Sequence, residues 1–472
     1  MQTKLTKKPL AQAPAAHARI AFSTEKFGRH VLREGADGGR ELVIGTGSEA
    51  LTRQKFRKLI RTTIRTAGSH ELGKIALSAA TLPMVADSDD SWMVATAAEE
   101  ATIAGYAFTT YRKQRAATGL LRETLLTDLT EKETETAAKH ALTIAEYVNH
   151  ARDIANTPGE DMPPSQLAKR AQALGKAAGV SVSVLNHAAI KKEKLGLIDA
   201  VGRGAADAPR FIIMEYYGAG KPKGKTPSDA QRPLVLVGKG ITYDSGGLNI
   251  KPTGFMHDMH LDMSGGAAVI ASICAAAKLK LKRNIVALIP AAENSVSERA
   301  IRAGDIVTSH AGTTVEILHT DAEGRLVMAD AFSYASRYTP RTMLDVATLT
   351  GAAMAALGQH ASALMTRDEA LRDELWQIGE ETGDRVWPLP LYEDYEQYLK
   401  SDRADISNIA TNFHRFGGAS EAGTFLANFV PEGVRWAHLD MAPRMESVSS
   451  DKLSKGATGE PVRLLVRFLE QH

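Results

Sequence analysis

A single cysteine, Cys274, in 472 residues removes two options: the chain can neither close an internal disulfide nor build a thiolate metal cage. That scarcity fits a reducing compartment. Charge of one sign is lacking too. Lys plus Arg number 57 and Asp plus Glu 55, a net +2, which excludes a strongly basic nucleic-acid protein and an acidic disordered one, though not local patches. No run of 18 apolar residues free of charge is there to span a bilayer. Lys4, Lys7 and Lys8 lie in the first twenty residues, but no apolar segment follows them. No secretory signal is read there, and a cytoplasmic location follows by default.

What is present is ordinary for a globular protein, with 44% hydrophobic and 24% charged residues. The length, about three typical domains, predicts two or more substructures. Residues 18 to 130 read as short strands (41–45, 74–78) alternating with helices such as the basic stretch 51–66. Ala141, Ile144, Ala145, Val148, Ala151 and Ile154 recur at helical spacing and stop at Asn156-Thr157-Pro158-Gly159. This predicts a smaller N-terminal α/β domain (1–130), a candidate for oligomerisation, a connecting helix (131–156), and a larger catalytic domain (157–472). In the latter, strands at 211–217, 234–237, 284–290, 314–318 and 343–347 alternate with helices at 264–278 and 323–338. That order predicts an α/β fold whose central, mostly parallel sheet is covered by helices on both faces. The segment 218–233, with Lys221, Lys223, Lys225 and Arg232, reads as a solvated loop.

Three stretches carry chemistry. In the first, the apolar run from Leu234 meets Gly238, Lys239, Asp244, Gly246 and Gly247. Sites in open α/β sheets form beyond the carboxyl ends of strands. The spacing of a phosphate-binding loop is missing, so the glycines are read as letting the backbone crowd a compact site. A tight turn with a solvated Lys and Asp reads equally well. The second stretch holds His257, His260 and Asp262 just ahead of the helix at Ser264. The histidines invite a zinc reading, although two His in a polar loop are more often surface residues, and Asp262 could be an N-terminal helix charge. The third and strongest is His319-Thr320-Asp321-Ala322-Glu323-Gly324-Arg325-Leu326. In an extended segment Asp321 and Glu323 point to one side, as does Arg325. Two carboxylates suit divalent ions, and a guanidinium suits an anion.

Together these stretches resemble the leucyl (cytosol) aminopeptidase family of two-metal exopeptidases, whose signature NTDAEGRL matches here at seven of eight positions. The resemblance extends to 238–247, Lys251-Pro252, Asp262-Met263, 291–294, Arg302 with Gly304 and Asp305, and 455–459. It covers about residue 155 to the C-terminus; before 130 it rests on size and position.

The resemblance implies that Lys239, Asp244, Asp262 and Glu323 hold one divalent ion and Asp244, Asp321 and Glu323 the other, Mn2+ or Zn2+. It implies Lys251 and Arg325 as catalytic residues, with bicarbonate at Arg325. The metals would acidify a water and polarise the scissile carbonyl, and Lys251 would stabilise the oxyanion. Lys239 must be neutral to ligate, so neighbouring cations must depress its pKa. Met259, Thr348, Leu349, Gly351, Ala442 and Met445 match the family's side-chain pocket by position, an adaptable hole for Leu- or Met-like residues. Core packing explains Thr348 and Leu349 nearly as well. The departure is His319 in place of Asn: either a neutral imidazole that replaces the amide's hydrogen bonds, or a group whose charging costs activity at acid pH.

The expected partners are peptide substrates and five further copies in a homohexamer, with no membrane. DNA binding, the competing role, is not favoured by the charge balance, although Arg53, Lys55, Arg57, Lys58 and Arg61 form a basic run. A two-metal phosphoesterase is disfavoured because Lys251 and Arg325 sit at peptidase-family positions.

Overall fold

The computed structural model describes residues 1–35, 38–112, 121–222, 228, 231–412 and 416–472. Lys223 and Lys225 of the expected solvated loop lie outside the described residues. The chain forms two compact units, Met1–Asn149 with Ser447–Lys455, and His150–Glu446 with Gly456–His472.

The first unit is a six-stranded sheet in the order Gln2–Leu5, Glu123–Thr127, Lys74–Ser78, Ala18–Ser23, Arg40–Gly45, His30–Glu34. It is parallel except for the last pair. The basic run opens the helix Arg53–Ser69, capped by Thr52, whose hydroxyl accepts from the Lys55 N–H. Phe56, Leu59, Ile60 and Ile64, at helical spacing, are buried. On the flank, Arg57 donates to Glu99 and Glu100 (3.0 and 2.9 Å) and Arg61 to Glu100. Part of the basic run is therefore spent inside the unit.

The second unit is built on a sheet ordered Val386–Pro388, Ser362–Met365, Arg435–Asp440, Thr342–Ala347, Leu234–Gly238, Asn284–Asn294, Arg210–Tyr217, Ser181–Leu185, with Gly240–Asp244 also along Asn284–Asn294. The four central strands, Arg435–Asp440 to Asn284–Asn294, are parallel. Such strands are covered on both faces, which is why Leu234–Gly238 is apolar and buried throughout. The helix Ser264–Lys278 contains only small and aliphatic residues besides its serines, cysteine and final lysine, and is buried up to Ala277. By length and composition Met259–Lys278 could cross a membrane, yet 89% of its most apolar window is buried inside the protein. From Leu234–Gly238 the chain runs to Asn284–Asn294 on one side, then returns to Thr342–Ala347 on the other. The winding reverses at that strand, which opens a crevice at its carboxyl end.

One expected strand is corrected. Residues 314–318 do not join the main sheet: Thr314–Glu316 pairs with Ile306–Thr308 and Ile406–Ser407 in a separate three-stranded sheet. Ile317 N–H is taken by Asp305 O (2.9 Å) and Leu318 N–H by Asn408 Oδ1 (2.8 Å), so the ladder ends early.

Candidate active site

The crevice is lined by residues at strand ends. Lys239 follows Leu234–Gly238; its N–H donates to Val346 O (3.0 Å), and its carbonyl accepts from the Gly266 N–H (2.7 Å) at the start of the Ser264–Lys278 helix. Asp244 closes the strand Gly240–Asp244, and its Oδ1 accepts from Asn294 Nδ2 (2.8 Å) and the Gly246 N–H (2.9 Å). Gly246 has φ +87°, and a Cβ there would lie 2.6 Å from Asn249 O and 3.0 Å from Asp321 Oδ1. Only glycine fits this turn without strain. Asp262, in the turn Met259–Met263, accepts from Thr348 Oγ1 at 2.6 Å. Glu323 is the first residue of the helix Glu323–Ala335.

Two ammoniums sit among four carboxylates. Lys239 Nζ lies 2.7 Å from Asp262 Oδ2 and 2.9 Å from Glu323 Oε1, and donates to Thr348 O (3.0 Å). Lys251 Nζ lies 2.7 Å from Asp244 Oδ2 and 2.5 Å from Asp321 Oδ1. Asp262 Oδ2, Asp321 Oδ1 and Glu323 Oε1 are sealed from solvent and face these two ammoniums. Asp244, Asp262 and Glu323 each bring a ligand oxygen within 4.8 Å of the other two. Burial pushes Asp262 and Glu323 up to about 7 and Asp321 to about 6, repulsion among the carboxylates adding to it and the lysines opposing it. Burial favours neutral lysines, but the carboxylates outweigh it and raise both Lys239 and Lys251. Clustered, buried hard oxygens beside an amine are a donor set that fits divalent cations.

The helix start at Glu323 corrects the expectation of one extended face. The chain turns at Ala322 (φ −108°, ψ 40°), so Asp321 faces Lys251 while Glu323 faces Lys239. Gly324 makes the second contact possible, since a Cβ there would lie 2.6 Å from Lys239 Cε and 2.7 Å from its Nζ. Arg325, also helical, donates through Nη1 to Asn408 O (2.7 Å) and Glu421 Oε1 (3.0 Å). His257 is exposed and pairs with Asp258; neither it nor His260 belongs to the metal-type cluster among the described residues. His319 is held below the usual imidazole range by burial and by Lys251 and Arg325. Its Nδ1 accepts from the Asp321 N–H at 3.3 Å, which favours the neutral imidazole.

The expected pocket residues divide. Thr348 spends its hydroxyl on Asp262 and its carbonyl on Lys239. Leu349 packs against the core, and its N–H donates to Asp440 Oδ1 (3.0 Å), as does that of Ala442 (3.2 Å). Gly351 starts the helix Gly351–Leu357 with open space where a Cβ would stand. Met259 shares its turn with Asp262, and Met445 follows the turn Ala442–Arg444; both are half-buried. Asp440, Asn249, Asn408 and Glu421 hold the site without being marked by any sequence pattern. Asn294, inside the 291–294 motif, holds Asp244 Oδ1 and Thr320 O through its Nδ2.

The model of the cytosol aminopeptidase family, catalytic domain, matches residues 149–466. This chain belongs to the cytosol aminopeptidase family. Relatives named probable cytosol aminopeptidase include that of Azoarcus sp., 38% identical over 97% of this chain and 92% of the relative. Another, from Methylobacillus flagellatus, is 38% identical over 93% of this chain and 86% of the relative. Among solved structures, the bottromycin maturation enzyme BotP in complex with Mn superposes with a TM-score of 0.86 at 32% identity, covering 97% of this chain and 99% of that one. Membership in this family supports an aminopeptidase, a hydrolase of peptide bonds. The manganese in that neighbour and the buried acidic cluster here point to divalent metal binding.

Proposed function

We propose that the chain removes the N-terminal residue of peptides, preferring Leu- or Met-like side chains, with two divalent ions held by Lys239, Asp244, Asp262, Asp321 and Glu323. The observation that carries this reading is the set of four carboxylates, three of them with oxygens sealed from solvent, gathered around Lys239 and Lys251. Manganese or zinc, when bound, would supply an acidified water and a polarised carbonyl. Lys239 would ligate as a neutral amine, which added cations favour against the carboxylates. Lys251, held charged by Asp244 and Asp321, would stabilise the developing oxyanion. The family resemblance would place bicarbonate at Arg325, an expectation that the Glu421 carboxylate already paired with its guanidinium opposes. Met259, Thr348, Leu349, Gly351, Ala442 and Met445 would shape the entry for the side chain, Thr348 acting through Asp262 rather than by contact.

The cytoplasmic location and the homohexamer are carried over from the family resemblance. A DNA-binding role gains no support from the structure, since Arg57 and Arg61 are spent on Glu99 and Glu100. The test is hydrolysis of Leu-p-nitroanilide by metal-stripped protein with Mn2+ or Zn2+ added back, with sedimentation of the same sample. Activity restored by either ion in a hexamer is the expected result. Inactivity with every metal removes the reading, and an active monomer removes only the assembly.

A further inference from the structure

Arg325 is a buried guanidinium with an unequal distribution of partners. Nη1 serves both Asn408 O at 2.7 Å and Glu421 Oε1 at 3.0 Å, whereas Nε and Nη2 make no hydrogen bond among the described residues. The side chains of Arg325 and Glu421 are 7% and 6% exposed, so their charges meet where water screens them little. Glu421 lies in the first turn of the helix Gly418–Ala427, where the helix dipole favours an anion. Asn408, the other partner, takes the Leu318 and His319 N–H groups on its Oδ1 (2.8 and 3.3 Å) and donates to His319 O (2.7 Å). One edge of the guanidinium is thus fixed to the turn that carries Asp321, and the other edge meets no acceptor among the described residues.

We propose that Glu421 is a positioning residue that acts as a resident counter-anion for Arg325, orienting its free edge and weakening the hold of Arg325 on any external oxyanion. A guanidinium already neutralised by a carboxylate attracts a second anion far less than a bare one, and that second anion would lie close to the first. The chain's hydrolytic activity then runs without added bicarbonate. This inference rests on the aminopeptidase reading above.

The experiment uses the manganese-loaded full chain and its E421Q and E421D variants in degassed, bicarbonate-free buffer. kcat and KM for Leu-p-nitroanilide are followed while bicarbonate, and separately formate, are titrated at constant ionic strength. Wild type is expected to respond to neither anion. E421Q is expected to become anion-responsive in kcat, with an apparent affinity tighter by about a hundredfold, the size set by removing one unit charge near another. E421D, which keeps the charge, is expected to behave as wild type. A wild type stimulated by bicarbonate overturns the proposal even if no variant folds, as does a folded E421Q that ignores both anions. Wild type inactive with every metal would instead sink the aminopeptidase reading.

Discussion

Gly324 decides more than its size suggests. Alanine is the better helix former, so helix propensity does not oppose Gly324→Ala. A methyl there, however, would stand 2.6 Å from Lys239 Cε and drive the lysine from Asp262 and Glu323. We expect kcat/KM of the folded variant to fall by at least about tenfold, the equivalent of 1.4 kcal/mol, and the melting temperature to fall as the buried ion pairs of Lys239 are broken. A fully active variant would show that Lys239 need not lie where it does. At this scale the sequence was informative where types and spacing both mattered: Lys239, Asp244, Asp262, Lys251, Asp321 and Glu323 all come together as their motif suggested. It was silent on Asn408, Asp440 and Glu421, because an amide or carboxylate that satisfies a distant backbone group or arginine leaves no periodic or local trace.

Among elements, the short helix Gly196–Gly202 depends on one carboxylate from far along the chain. Asp330 Oδ2 accepts from the Leu197 and Ile198 N–H groups (2.8 and 3.1 Å), and its Oδ1 from the His310 N–H (2.7 Å). Asp330 is wholly buried, so Asp330→Ala strands three donors. A loss of about 3 kcal/mol or more is expected in urea melts, each orphaned group costing about 1–3 kcal/mol, and a loss below 1 kcal/mol would mean the backbone finds other acceptors. Most elements were legible in the sequence, including the helix Ser264–Lys278 to the residue, since buried parallel strands and small-residue helices write continuous apolar runs. The failure at 314–318 has a physical cause. Asp305 and Asn408 withdraw backbone donors that a pattern of side chains cannot assign. The same blindness produced the extended face for Asp321, Glu323 and Arg325, where an acidic helix start looks like alternation.

For the molecule as a whole, Cys274 offers a reporter. Its thiol is fully buried in the Ser264–Lys278 helix, and burial pushes it up to about 12, so almost no thiolate exists at pH 8 and labelling must await unfolding. A cation bound only by the folded state adds about 2.7 kcal/mol at a hundred times its dissociation constant. Manganese should therefore slow labelling of Cys274 in mild urea by about a hundredfold if labelling tracks global unfolding. Labelling at an equal rate with and without manganese would mean that the carboxylate cage holds no ion.

The first unit includes Ser447–Lys455: Arg61 donates to Asp451 O at 3.3 Å, and Leu453 packs on that unit's core. A ribosome making this chain emits the last part of the first unit only after His150–Glu446 of the second. The amino-terminal segment therefore waits, incomplete, until those residues have been made, and a gene cut after residue 149 encodes a fragment without the Asp451 and Leu453 contacts.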